Sequence, residues 1–287
     1  GTGFDIATVS YTDQGAERWS SRYDSPSHDD DAAVAMVVDA SGGVVVSGSS
    51  YGPASGVDFI TLKYSSGGSA LWQQRYNGPA GGDDRASALG CDASGNVYVT
   101  GQSAGIGTQE DFETVKYDPE GTLQWTRRFN NERNGPDIPV SIAVGRSGNV
   151  FVTGISRLFS GSRAEFATTV YDSGGAVLAS WLYDGTGFED FFAAGIAVDS
   201  DDNAYVTGAS NGSGFDFATV KYASGSFEGR LAHYSSGTGG DRLAAMAADA
   251  FGNVYVTGSN PRDLRTVKFD SAGAKQWVAI FDQLQSP

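Results

Sequence analysis

The sequence predicts an all-β chain assembled from repeated four-stranded units, and three observations carry that prediction. A short motif recurs five times with a period of about 50 residues. β-branched and aromatic residues dominate the recurring segments, as strands prefer. Glycine, 40 residues against 8 prolines, punctuates the ends of those segments and so marks tight turns rather than a disordered chain.

The recurring heptad is clearest at Gly95-Asn96-Val97-Tyr98-Val99-Thr100-Gly101 and returns at Gly148 to Gly154 and Gly252 to Gly258, with looser copies at Gly42 to Gly48 and Asp202 to Gly208. A second block follows each copy. It reads Asp111-Phe112-Glu113-Thr114-Val115-Lys116-Tyr117, with relatives starting at Asp58, Glu165, Asp216 and Asp263 and a sixth at Asp5. A third block carries Trp19, Trp72, Trp125 and Trp277 eight residues after the preceding Tyr or its equivalent. Trp181 is displaced by two, and Arg230 stands in the fifth copy.

Each repeat then reads as four short strands. Strand a is a small-residue run such as Ala86 to Cys91, strand b the Val-Tyr-Val-Thr segment, strand c the Phe-x-Thr-Val-Lys-Tyr segment, and strand d the Trp-bearing segment. Asp92 is placed to cap the a–b turn through its carboxylate, and Asp118-Pro119-Glu120-Gly121 makes the c–d turn. Strands b and c lack strict apolar–polar alternation, which fits sheets covered on both faces. The Ala and Gly of strand a fit a crowded axis. Radial repetition of such sheets is a β-propeller.

The strand count does not close. A c–d pair precedes five full a-b-c-d units, giving twenty-two strands. The expected layout is one propeller domain over 1–287: a half repeat over 1–36, then repeats at about 37–89, 90–142, 143–196, 197–246 and 247–287. The orphan strand Asp5-Ile6-Ala7-Thr8-Val9-Ser10-Tyr11 is rich in β-formers, and a bare edge of that kind invites aggregation. It is expected to lie against something, within the chain or from a partner.

These motifs resemble the SBBP repeat, a β-propeller repeat of bacterial and archaeal surface and secreted proteins. The Asp-x-Ser-Gly-Asn-Val-Tyr-Val-Thr-Gly run at Asp92 to Gly101 and the following Asp-Phe-x-Thr-Val-Lys-Tyr carry the resemblance. It implies the propeller architecture and an extracellular or cell-surface setting, and says little about activity.

The formal charge of −15 repels phosphate backbones and excludes nucleic acid as the expected partner. No apolar run approaches the ~20 residues of a membrane span. The single cysteine, Cys91, permits no internal disulfide and is expected to be a small buried hydrophobe. His28 and His233 give neither zinc spacing nor a nucleophile–base arrangement.

An acidic position just before strand a recurs as Asp31, Asp84, Asp137, Asp190 and Asp241. At one rim of a propeller these carboxylates would form a ring of hard oxygen ligands suited to Ca²⁺. The competing account is that each Asp caps its own loop. The Asp-x-Ser-Gly-Asn turns at Asp39, Asp92 and Asp249, with Asp199 as a variant, read as turn chemistry rather than EF-hand loops. Lys63, Lys116, Lys221 and Lys268 are expected to pack between blades with their amines near carboxylates. The tryptophans are expected to fill the gaps between blades.

No organic cofactor is expected, and Ca²⁺ is the one ion the residues suggest. The favoured function is a non-catalytic extracellular scaffold that recognises a protein or glycan. Its recognition elements would be the variable segments after strand b: Ser49 to Val57, Gln102 to Glu110, Ile155 to Ala164 and Ala209 to Phe215. One alternative is a subunit that assembles with copies of itself through the half blade. Another is a glycoside hydrolase using two carboxyls roughly 5–9 Å apart.

Overall fold

A computed structural model describes residues 3–53, 55–132, 134–158, 164–183, 191–211, 215–225, 229–234, 242–259 and 263–282. The described residues hold twenty-two strands and no helix. They group into two compact units, Gly1–Pro139 and Val140–Pro287.

The first unit opens with a two-stranded sheet, β1 (Ile6–Tyr11) and β2 (Glu17–Tyr23). Two antiparallel meanders follow. One is β3 (Asp31–Val38), β4 (Val44–Gly52), β5 (Gly56–Tyr64) and β6 (Ala70–Tyr76). The other is β7 (Asp84–Cys91), β8 (Val97–Ala104), β9 (Glu110–Tyr117) and β10 (Leu123–Phe129). These sheets begin about six residues earlier than the repeat boundaries drawn from the sequence, because the acidic residue belongs to the inner strand.

The next meander starts with β11 (Asn134–Val144), which crosses residue 139, and continues through β12 (Val150–Leu158), β13 (Ala164–Tyr171) and β14 (Val177–Tyr183). The second unit also holds β15 (Phe191–Val198), β16 (Ala204–Asn211), β17 (Phe215–Tyr222) and β18 (Gly229–Tyr234). It ends with β19 (Arg242–Ala248), β20 (Val254–Ser259), β21 (Asp263–Phe269) and β22 (Lys275–Asp282).

Within each unit the sheets stack face on face. Val45 and Phe59 of one sheet join Ala86, Leu89, Val97 and Val115 of the next in a single buried cluster. Phe151 and Phe166 do the same with Ala193, Ile196 and Val206, and Tyr205 and Phe217 with Val254 and Val267. This stacking explains the missing alternation: every residue of β13 is buried. At ~25 cal/mol per Å² of apolar surface, each fully buried Val or Phe contributes about 1.5–3 kcal/mol.

The Gly that closes the heptad faces an irregularity in strand a. The register slips between Ala33 and Ala35 and between Ala86 and Ala88, opposite Gly48 and Gly101. A Cβ at Gly48 would collide with the carbonyl of Ala32, and one at Gly101 with that of Arg85. The glycine thus admits the bulge that bends the inner strand.

The c–d turns depend on a left-handed glycine, as at Gly68 (φ 85°) and Gly121 (φ 87°). A side chain at Gly68 would strike Trp19, and one at Gly121 would strike Trp72. Each Trp therefore rests on the turn of the following sheet. Trp19 Nε1 donates to Ser66 O and Trp72 Nε1 to Pro119 O at 2.9 Å. Trp181 stacks on Tyr222 at 4.4 Å. The inter-sheet role expected of these three tryptophans is observed.

Cys91 is partly exposed rather than fully buried, and desolvation raises its thiol pKa, which keeps it a weak nucleophile.

Candidate functional site

The recurring a–b turn is a closed hydrogen-bond set. Asp92 Oδ1 accepts the backbone N–H groups of Ser94 and Asn96, and Oδ2 accepts Asn96 Nδ2 and the Tyr98 hydroxyl. Asp199 with Asn203 and Tyr205, and Asp249 with Asn253 and Tyr255, repeat it. Hydrogen bonds from Asn203 overcome the effect of burial and hold the Asp199 carboxyl below its usual range. Both carboxylate oxygens of Asp92 are thus engaged within its own turn. The third copy has Gly145 where the others have Asp. There the carboxylate of Asp202, from the next sheet, accepts Arg146 N–H and Ser147 N–H.

In the first copy Val45 replaces the turn Tyr, and Lys63 reaches Asp39 directly at 3.0 Å. Burial opposes the charged carboxylate, but hydrogen bonds from Ser41, Lys63 and Gly43 outweigh it and bring Asp39 to about 2. Lys116, Lys221 and Lys268 instead lie over the rings of Tyr98, Tyr205 and Tyr255, each at 5.3 Å.

The acidic position sits inside the strands rather than before them: Asp31 and Asp84 begin β3 and β7, and Asp137 lies within β11. All three are buried. Asp31 accepts Ser25 N–H, Asp84 accepts Gly78 N–H and Asp137 accepts Asn131 N–H, the residue six before in each case. These bonds are what the loop-capping account describes. Asp190 and Asp241 lie outside the described residues.

Capping does not use every oxygen. Strand c supplies a second Asp and strand d an Arg near each of these positions. Asp58 Oδ2 meets Arg75 Nε at 2.5 Å, and Asp111 Oδ2 meets Arg128 Nη1 at 2.9 Å. Strand b pins both arginines: Arg75 also bonds Ser50 Oγ and O, and Arg128 bonds Ser103 Oγ and O. The Oδ1 atoms of Asp31, Asp58, Asp84 and Asp111 are buried without a hydrogen-bond partner. Burial, reinforced by the neighbouring charge of Asp58, raises the pKa of Asp84.

A further functional candidate departs from the repeat. Glu113 is only 2 % exposed and holds the strand-c position occupied by Ala7, Ile60, Ala167, Ala218 and Arg265 in the other copies. Burial pushes its carboxyl up to about 7 even though Arg128 lies 3.1 Å away and Tyr76 donates a hydrogen bond. A charged residue in an otherwise uncharged or cationic column was the available signal.

The segments proposed for recognition are partly strand. β4 runs to Gly52 and β5 starts at Gly56, so most of Ser49 to Val57 is ladder. Gln102 to Ala104 and Glu110 are likewise paired. Beside the first of these segments the first unit has two concavities. One, of about 380 Å³, is lined by Tyr23, Pro26, Tyr51, Pro53 and Arg75 among others. The other, of about 560 Å³, is lined by Gly3, His28, Asp29, Asp30, Tyr51 and Val57.

β1 buries Ile6 and Thr8 and leaves Ala7, Val9 and Tyr11 exposed. One face of its sheet packs on Val46, Ile60 and Leu62. Among the described residues no strand other than β2 pairs with β1. The edge from Asp5 to Tyr11 thus gains a packed face but no second ladder within the described chain.

A model of the SBBP β-propeller repeat matches residues 185–216. No curated protein matches the sequence. Solved structures share the fold at low identity. A Bacteroides caccae protein of unknown function aligns over 97% of this chain and 94% of its own, at 14% identity and TM-score 0.52. Virginiamycin B lyase from Staphylococcus aureus aligns over 87% and 69%, at 13% identity and TM-score 0.55. The Dos1 propeller aligns over 96% and 62%, at 10% identity and TM-score 0.58. The chain is an all-β protein of propeller fold, with a match to the SBBP β-propeller repeat over residues 185–216.

Proposed function

We propose that the chain is a non-catalytic binding and scaffold module of an extracellular or cell-surface protein, taking a protein or glycan partner on one face of its first unit. The carrying observation is the pair of concavities that share Tyr51. Tyr51, 40 % exposed, offers a ring for stacking, and Arg75, Asp29 and Asp30 supply polar groups around it. The buried state of Asp58 and Asp84 works against the glycosidase alternative, because a substrate has no access to them in this conformation. The test is a panel of polysaccharides and peptides presented to the full chain and to Tyr51→Ala. Binding without turnover, weakened at least tenfold in the variant, is the expected result. Product release that disappears in Asp84→Asn would overturn the proposal in favour of hydrolysis.

A second reading, self-assembly, is favoured by the edge of β1, which pairs with no strand but β2 among the described residues, and by exposed Val34, Met36 and Val38 on β3. A strand pair from another copy would complete the two-stranded sheet by β-augmentation. Concentration-dependent light scattering that Val9→Lys abolishes is the expected result. A monomer at all concentrations would remove this reading.

A further inference from the structure

We propose that the two-stranded sheet holds a divalent cation, Ca²⁺, between the carboxylates of Asp5, Asp24 and Asp31. One carboxylate oxygen from each residue lies within 4.8 Å of the other two, a spacing that a hard cation bound by oxygens at 2.3–2.6 Å can bridge.

Three carboxylates alone would prove nothing. The independent observation is Asp31, which is 2 % exposed and contributes an oxygen to the cluster. Its Oδ2 is taken by Ser25 N–H, while its Oδ1 is buried and accepts no hydrogen bond. A buried, unsatisfied carboxylate oxygen is costly. The same orphan recurs at Asp58, Asp84 and Asp111, but among the described residues only Asp31 has two further carboxylates, Asp5 and Asp24, within reach of a shared cation.

The internal repeat supplies a control. Asp5, Arg22 and Asp31 correspond to Asp58, Arg75 and Asp84, and to Asp111, Arg128 and Asp137. Two things change in the first set. Among the described residues no strand b pairs with β1, so no serine there pins the guanidinium: Arg22 pairs with Asp5, lies 3.8 Å from Asp24 and stays 59 % exposed, whereas Arg75 is 29 % exposed and Arg128 23 %. Position 24 is also an aspartate where the other sets carry Asn77 and Asn130. Three carboxylates face one loosely held guanidinium, which leaves two negative charges for a divalent ion to balance. His28 Nδ1, 2.9 Å from Asp24 Oδ1, touches the outer edge of the cluster.

The site differs from a rim of equivalent carboxylates, because it uses one copy of the repeated aspartate and the two aspartates that flank the strands of the partial sheet. It also does not depend on the binding role proposed above.

Titration calorimetry of the full chain with CaCl₂, after EDTA treatment and dialysis, tests the assignment. One Ca²⁺ per chain is expected, with Kd on the order of 0.1–1 mM, and Mg²⁺ should bind more weakly. Asp24→Asn installs the residue of the other copies. It should weaken Ca²⁺ binding at least tenfold while leaving the circular dichroism spectrum and the unfolding midpoint in EDTA unchanged. Asp83→Asn, at an exposed carboxylate outside the cluster, should bind Ca²⁺ as the parent does. No heat with the parent chain, full retention in Asp24→Asn, or an equal loss in Asp83→Asn would each overturn the proposal. The first result means no site, the second a site elsewhere, and the third diffuse surface charge.

Discussion

The two-stranded sheet β1–β2 and the complete sheet β3–β6 are built from the same strand-c and strand-d sequences, yet they treat the same residues differently. In the complete sheet Arg75 is enclosed by Asp58, Ser50 Oγ and Ser50 O. In the partial sheet Arg22 holds Asp5 from a largely exposed position. Ile60 is buried in the complete sheet, while its counterpart Ala7 is exposed. A neighbouring strand therefore does more than add a ladder: it draws the guanidinium from a largely exposed position to a half-buried one and completes the burial of its carboxylate.

The largest expected effect breaks that comparison directly. Arg75→Ala would leave the fully buried Asp58 carboxylate without its cation and should cost about 3–5 kcal/mol in urea unfolding. Arg22→Ala removes a pair whose guanidinium is largely exposed and should cost less, about 1 kcal/mol. Equal losses would show that strand b does not set the value of the pair.

Next comes the acid at the strand-c position of Ala7. The Glu113 carboxyl is at about 7 in the folded chain against an ordinary value of 4.5. The folded state therefore binds more protons than the unfolded state between those values. Stability should be highest at pH 4.5 and below as far as this group is concerned, fall by about 3 kcal/mol as pH rises to 7, and level off above. Glu113→Gln should flatten the profile over that window. A parent profile that is already flat there would show the carboxylate to be fully compensated by Arg128.

The smallest effect concerns the turns. Asp92 accepts four hydrogen bonds, so Asp92→Ala should cost about 1–2 kcal/mol. Thr12, which accepts Ala16 N–H in the partial sheet, should cost a few tenths when changed to Ala. Thermal unfolding of both variants sharpens the contrast, and a reversed order would contradict it.

Much of this architecture was legible from the chain alone. The Asn-Val-Tyr-Val-Thr-Gly and Asp-Phe-x-Thr-Val-Lys-Tyr blocks located strands b and c, and the strand total followed from counting them. The Asp92 turn could be assigned because its partners lie two to six residues away. The site was less legible. Asp31 looked like one member of an equivalent series, because a one-dimensional repeat shows what is shared and hides the residue that differs nearby. Asp24 and Glu113 matter as departures, and neither belongs to a motif.

Strand order, turn chemistry and the unmatched opening pair were written in the period, since each depends on neighbours within about twenty residues. Which Trp lies on which glycine, why Gly145 borrows the carboxylate of Asp202, and how deeply Asp31 is enclosed depended on sheets about fifty residues apart coming into contact. Stacking selects those partners by shape and charge across a gap that the repeat does not encode.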